Sequence, residues 1–291
     1  MSKGDPKSID RSAMDALLYG VSKSLDYLGD QKRRILDKMG EIMVEYLIEV
    51  GRIKSPDKPK EFTHSLKKLL IKNGFAVRRT IQVNVTAQTP SVSNFFDYLM
   101  PKGSLVSIKR SSLSRKAPRR NKVDWVLYEM ALYGMTKALD DELGAQAQLI
   151  LDRIGTEMLD YLVELGMVEP SDDPNTFFRR VEDFFMNAGF ARSTEFKLEG
   201  SPPQALVAKW RYAPYYTNVL KRLRNEGSIL YSCPVCLAGE SILAKSHGLK
   251  FQNTVELRFL PGKRVFYRHK IIPPAERFTE EDAQRISEMK V

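Results

Sequence analysis

Ile35, Met39, Met43, Tyr46, Leu47 and Val50 recur at intervals of about three or four residues, and so do Ile150, Ile154, Met158, Tyr161, Leu162 and Leu165. That spacing returns to one face of a helix of about 3.6 residues per turn, so each set predicts a long amphipathic helix with one apolar stripe. Gly51 and Gly166 stand where the stripes stop, supplying the left-handed residue of a helix C-cap. After a proline-containing turn, residues 62–72 and 177–186 predict a second helix, closed by Gly74 and Gly189. Alternation in 78–85 and 192–198 then predicts a strand in each half.

The two runs are one pattern met twice. Residues 18–26 match 132–140 at an offset of 114, which becomes 115 after a one-residue insertion. At 115, residues 35–40 meet 150–155 and 45–51 meet 160–166, and the match continues through Pro59 with Pro174 and Phe62 with Phe177 to Gly74-Phe75-Ala76 with Gly189-Phe190-Ala191. A period of this size predicts a duplicated domain, since solenoid repeats run to about 20–50 residues.

The halves then diverge. In the second, 207–212 predicts a strand, 215–225 a helix, 228–231 a short strand, 237–246 a helix ending at Gly248, and 254–259 with 264–271 a hairpin about Pro261-Gly262. The first half has only residues 94–100 in place of all this. The expected fold is therefore α/β, of the α+β kind: a duplicated helix-helix-strand module, with the second copy completed by a cysteine-bearing helix and a terminal β-hairpin. The expected divisions are a truncated copy (1–101), a linker (102–122) and a complete copy (123–291). A truncated copy exposes a sheet edge and an apolar face. The copies are thus expected to pack as a pseudo-dimer within the chain, with 35–50 and 150–165 at or near the shared interface; homo-oligomers of whole chains stay open.

A chain of 291 residues holds two ordinary cores, and 43% hydrophobic with 28% charged residues is the balance of a folded globular protein. Apolar runs fall far short of the ~20 residues that cross a bilayer, and no signal-peptide core opens the chain, so a cytoplasmic protein without a membrane span is expected. The net charge of +10 is concentrated: Lys102, Lys109, Arg110, Arg115, Lys116, Arg119, Arg120 and Lys122 lie in one segment without an acid, and the remainder carries only +2. This serine-rich linker is either a solvated connector or a nucleic-acid contact through counterion release at phosphates.

The only two cysteines form Cys233-Pro234-Val235-Cys236, whose spacing before a helix admits redox chemistry, a metal or a structural role. For a metal, His269 on the hairpin is the third candidate ligand, leaving the set one short of four. His247 lies about 16 Å along the helix from Cys236 and does not join them. Trp210, Tyr212, Tyr215 and Tyr216 cluster around Pro214, either as core or as the lining of an apolar cavity. Gly40 and Gly155 occupy mid-helix positions where glycine costs up to about 1 kcal/mol, so a helix or a ligand should approach the backbone there. Phosphate loops, dinucleotide fingerprints, nucleophile elbows and paired carboxylates do not occur, so no catalytic residue or cofactor is nominated beyond a metal at the cysteine pair.

The helix pair with Gly155, the run Asn187-Ala188-Gly189-Phe190, Cys233 opening a helix and Gly248 closing it before a hairpin together resemble the 4-vinyl-reductase-type domain. That domain is also described as small hydrocarbon-binding and is related in fold to a subunit of the TRAPP tethering complex. The resemblance covers the second copy mainly. Where that family often has a further cysteine motif, this sequence has Pro261-Gly262-Lys263. The resemblance implies an α/β domain that binds a small apolar molecule or serves as a dimerising scaffold in regulatory proteins. The expected function is thus a non-enzymatic ligand-sensing or scaffold protein, its apolar pocket lined by Trp210, Tyr212, Tyr216 and the helix of Gly155. The alternative is a nucleic-acid-associated protein acting through the linker.

Overall fold

Two aspartates start the helical core in the same way. Asp10 Oδ1 accepts the Ser12 backbone N–H at 3.0 Å, and Asp124 Oδ1 accepts that of Val126 at 3.2 Å, so each supplies a partner for an amide that the first turn leaves unpaired. The computed structural model describes residues 8–54, 57–75, 83–85, 90–92, 95, 99, 122–200, 204–212, 214–228, 233–249, 251–262 and 264–271. The first half contains β1 (Ser8–Asp10), α1 (Arg11–Ser24), α2 (Gln31–Glu49), α3 (Pro59–Lys72), β2 (Val83–Val85) and β3 (Pro90–Val92). The second opens with β4 (Lys122–Asp124), α4 (Trp125–Leu143), α5 (Ala147–Glu164) and α6 (Pro174–Asn187). It continues through β5 (Ala191–Glu199), β6 (Ala205–Tyr212), α7 (Pro214–Asn225), α8 (Pro234–His247), β7 (Phe251–Leu260) and β8 (Arg264–Ile271). The architecture is mixed α+β, with antiparallel sheets throughout.

The halves cross over one another. Helix α1 packs on α5 and α2 on α4. Both crossings are close because a glycine faces the partner helix. A Cβ on Gly20 would lie 2.8 Å from the Ile154 carbonyl oxygen, and one on Gly134 would lie 2.5 Å from Met43 Cγ and 3.2 Å from the Met39 carbonyl oxygen. Tyr19 stacks on Tyr161 with centroids 4.5 Å apart, and Tyr133 lies against Tyr46 at 5.3 Å. Every one of these partners is exchanged by the offset of 114 or 115 found in the sequence. The same relation holds in the ribbon beneath them, where β1 and β4 pair antiparallel about Ile9 opposite Val123. The Asp10 N–H donates to the Ala188 carbonyl at 2.9 Å, and that of Asp124 to Asn73 Oδ1 at 2.7 Å.

The second half adds a layer. Strands β5, β6, β8 and β7 form one antiparallel sheet in that order, and Val265, Tyr267, His269 and Ile271 alternate into its buried side. Helix α8 is wedged between α5 and α6: Thr156 Oγ1 and Ser241 Oγ are 2.9 Å apart, and Phe178 closes over Gly239. This helix begins at Pro234, three residues before the predicted start, which brings Cys233 to its N-cap and Cys236 into its first turn. The expected strand at 228–231 is not seen at Ser228, whose N–H closes the end of α7 on Leu223 O at 3.0 Å; residues 229–232 lie outside the described residues. Of the strand expected at 78–85, only Val83–Val85 is described, and it pairs with Pro90–Val92 in a separate two-stranded ribbon. Phe95 and Leu99 are buried in the core; most of 94–100 lies outside the described residues. Among the described residues no helix is long and apolar enough to cross a membrane.

The tightest approach of backbone to a glycine is that of α8 to Gly155, where an added Cβ would stand 2.3 Å from the Leu237 carbonyl oxygen. Backbone cannot retreat as a flexible side chain can, so Gly155→Ala should cost about 3 kcal/mol despite the better helix propensity of alanine. Gly51→Ala, which meets nothing but holds φ at 69°, should cost only about 1 kcal/mol. Urea unfolding of the two variants checks this ranking, and a neutral Gly155→Ala would refute the crossing geometry.

Candidate functional site

Of the aromatic residues expected to line a pocket, Trp210 and Tyr216 are core. Trp210 and Tyr216 are each 1% exposed; Trp210 meets Phe196 edge-on at 5.0 Å, and Tyr216 lies against Phe190 at 5.2 Å. Tyr212 ends β6, paired with Ala191, and its side chain is outside the described residues, as is that of Tyr215. Gly155 is approached by the backbone of α8, so the space a ligand needs there is filled by Leu237.

Cys233 and Cys236 are free thiols, both buried. Burial pushes the Cys236 thiol well up, and neighbouring Cys233 and the Glu240 charge push it further. A helix N-terminus favours a thiolate, but here desolvation wins, so the thiol stays protonated. His269 is buried with Nδ1 2.7 Å from Glu240 Oε1. Among the described residues no three His, Cys, Asp or Glu side chains gather where they could hold a metal ion. Cys233, Cys236 and His269 are not brought together as one such group: the Cys236 thiol faces Cys233 and Trp210, while His269 Nδ1 lies against Glu240. The linker residues Lys109, Arg110, Arg115, Lys116, Arg119 and Arg120 lie outside the described residues; Lys122, at the linker's end, is exposed on β4.

An open site lies elsewhere, in a cleft of about 970 Å³ between α2, α4, α7 and the β1–β4 ribbon. Its floor carries Glu129 of α4, only 4% exposed. The Tyr46 hydroxyl of α2 donates to this carboxylate. Burial raises the Glu129 pKa to about 7, against the opposing pull of the Tyr46 hydrogen bond and the Arg52 charge. Burial, and then the Glu129 charge, push the Tyr46 hydroxyl well above its ordinary range. One wall is Arg222, its guanidinium 4.3 Å over the Tyr133 ring, 2.7 Å from Glu49 and 2.8 Å from Glu226. Tyr133 in turn donates to Glu226 at 2.8 Å, fixing the end of α7 against α4. Lys72, Lys122 and Arg52 stand exposed at the rim, with Arg52 3.7 Å from Asp124. Val50, 40% exposed, gives the cleft an apolar part, with Trp125 buried behind the lining.

Glu129 has a counterpart at the offset of 114, Asp15 of α1. Arg11, one turn before Asp15, pairs with it at 3.4 Å, lies 4.5 Å over the Phe75 ring and donates to the Gly74 carbonyl at 2.8 Å. In the second half Trp125 takes the place of Arg11 and stacks on Phe190 at 6.1 Å. Both positions hold a carboxylate, but only the first half has an arginine one turn before it. Sequence reasoning passed over Glu129, although it is the only charged residue in the apolar run 125–135.

No protein-family model matches the chain, and no curated protein matches it significantly.

A carboxyl group with pKa raised from 4.5 to about 7 favours the folded state fully below the lower value, and that advantage is lost as pH rises through the upper one. Replacing it by a neutral isostere removes the loss. Glu129→Gln should therefore gain stability relative to the parent between pH 5 and pH 8, by about 2 to 3 kcal/mol before screening by the partly open cleft. Urea midpoints at the two pH values read this directly, and a difference independent of pH would mean Glu129 does not titrate in that window.

Proposed function

We propose that the chain is a non-enzymatic ligand-sensing or scaffold protein: a duplicated module folded as a pseudo-dimer, with its ligand site in the cleft over Glu129. The crossings of Gly20 on α5 and Gly134 on α2, the two tyrosine pairs and the β1–β4 ribbon support the duplication, because each contact repeats at the sequence offset. Duplicating a dimerising domain turns its two-fold interface into an internal one of this kind. The resemblance of residues 132–271 to small hydrocarbon-binding domains supports the same reading.

One observation carries the placement of the ligand site: the two halves treat one buried carboxylate differently. Asp15 has an ion-pair partner in Arg11, whereas Glu129 has no ion pair among the described residues, feels Arg52 only as a neighbouring charge, and lines an open cleft. A carboxyl buried without a paired cation is costly, and such groups concentrate at functional sites. Val50 supplies exposed apolar surface for the body of a ligand, with Tyr46 and Trp125 buried behind it, and the volume suits a small molecule. A cytoplasmic location belongs to this reading and draws on the free thiols of Cys233 and Cys236. The alternative of nucleic-acid association keeps one point in its favour: the basic linker ends at Lys122, beside the rim residues Lys72 and Arg52.

Native mass spectrometry of the full chain tests the proposal. A retained ligand on the order of a few hundred daltons should appear on the parent and be lost from Val50→Trp, which fills the cleft from an exposed position. A ligand-free parent that stays bare after incubation with small amphiphiles would count against the proposal. Co-purifying nucleic acid, seen as excess absorbance at 260 nm, would favour the alternative.

A further inference from the structure

Taking the cleft as the ligand site proposed above, we infer that it receives a small amphiphilic anion, a carboxylate on an apolar body, and that Glu129 binds the anion as a neutral carboxylic acid, so that ligand binding and proton uptake are linked.

The charges facing Glu129 decide the sign of the ligand. From α2 come Tyr46, which donates to it, and Glu49, which is matched by Arg222 of α7 at 2.7 Å. From β4 comes Asp124, which caps Val126 and lies 3.7 Å from Arg52. Lys72 and Lys122 stand exposed at the rim with no ion-pair partner among the described residues, which leaves the mouth of the cleft positive. A positive rim draws anions in and repels cations. At the floor, however, an ionised Glu129 would repel the anion it meets. Protonated, the carboxyl accepts from Tyr46 through one oxygen and donates through its hydroxyl, and an O–H to carboxylate bond is among the stronger hydrogen bonds available.

The first half shows why this chemistry belongs to one copy. There Arg11 holds Asp15 in an ion pair and fills the approach with its contacts to Phe75 and Gly74. Trp125 stands in the second half where Arg11 stands in the first, so no ion-pairing cation sits one turn before the acid, and its ring is packed on Phe190 instead. An acid in that setting needs a proton or a ligand, and the proposed ligand arrives with the proton.

Titration calorimetry of the full chain with 4-phenylbutyrate, which stays ionised from pH 6 to pH 8, tests the linkage. Matched runs use the neutral analogue 4-phenylbutanol and two buffers of different ionisation enthalpy. The carboxylate should bind with uptake of up to one proton, and about tenfold more weakly at pH 8 than at pH 6, as the protonated fraction of a group titrating near 7 requires. Glu129→Gln, a neutral group that keeps a donor, should bind it with no pH dependence and no proton uptake. Carboxylate binding without proton uptake, or a pH dependence surviving in Glu129→Gln, overturns the inference. Binding of the alcohol alone also overturns it while leaving the cleft a ligand site, and binding of neither removes the cleft reading together with the inference.

Discussion

The close approach of helix backbones at Gly20 and Gly134 is the constraint on which the rest of the molecule depends. With no side chain at either position, α1 settles on α5 and α2 on α4, and each half contributes one helix to each crossing. A larger residue at either site would push apart backbone or well-packed methionines, in an interior that has no slack to absorb it. From this arrangement follow the tyrosine pairs, the ribbon of β1 with β4, and the placing of α4 where Glu129 is covered by α2. The two halves are therefore not beads on a linker: each completes the other's core.

How far the chain could be read in advance depended on whether a segment has a wet side. Helices α2, α3, α5 and α6 were legible because an apolar stripe alternates with solvated positions and a glycine marks each end. The hairpin of β7 and β8 was legible from alternation about Pro261-Gly262. Helices α1 and α4 were not delimited, and α4 shows why: Trp125 to Thr136 are all buried, so no periodicity remains to be seen. The same burial hid Glu129. Its setting is made by Tyr46, about 80 residues earlier in the chain, and by Arg222, about 90 residues later, and neither neighbour is visible in the local pattern.

The nominated chemistry failed to assemble for a related reason. Residue types suggested a pocket at Trp210 and Tyr216 and a metal at Cys233, Cys236 and His269, but type does not say what fills the space between. Phe190 and Phe196 fill it in the first case, and Glu240 intercepts His269 in the second. The asymmetry between Asp15 and Glu129 is more informative than either cluster, because the two carboxylates stand at matching offsets in the sequence and differ in what lies one turn before them.

Native-state hydrogen exchange across the full chain measures the interlocking of the halves most directly. If α1, α2, α4 and α5 form one cooperative unit, their slowest amides should share a single opening free energy and the same dependence on denaturant. If the amides of α1 and α2 exchange through an opening distinctly cheaper than that of α4 and α5, the halves fold separately and the crossed arrangement is not what holds the molecule together.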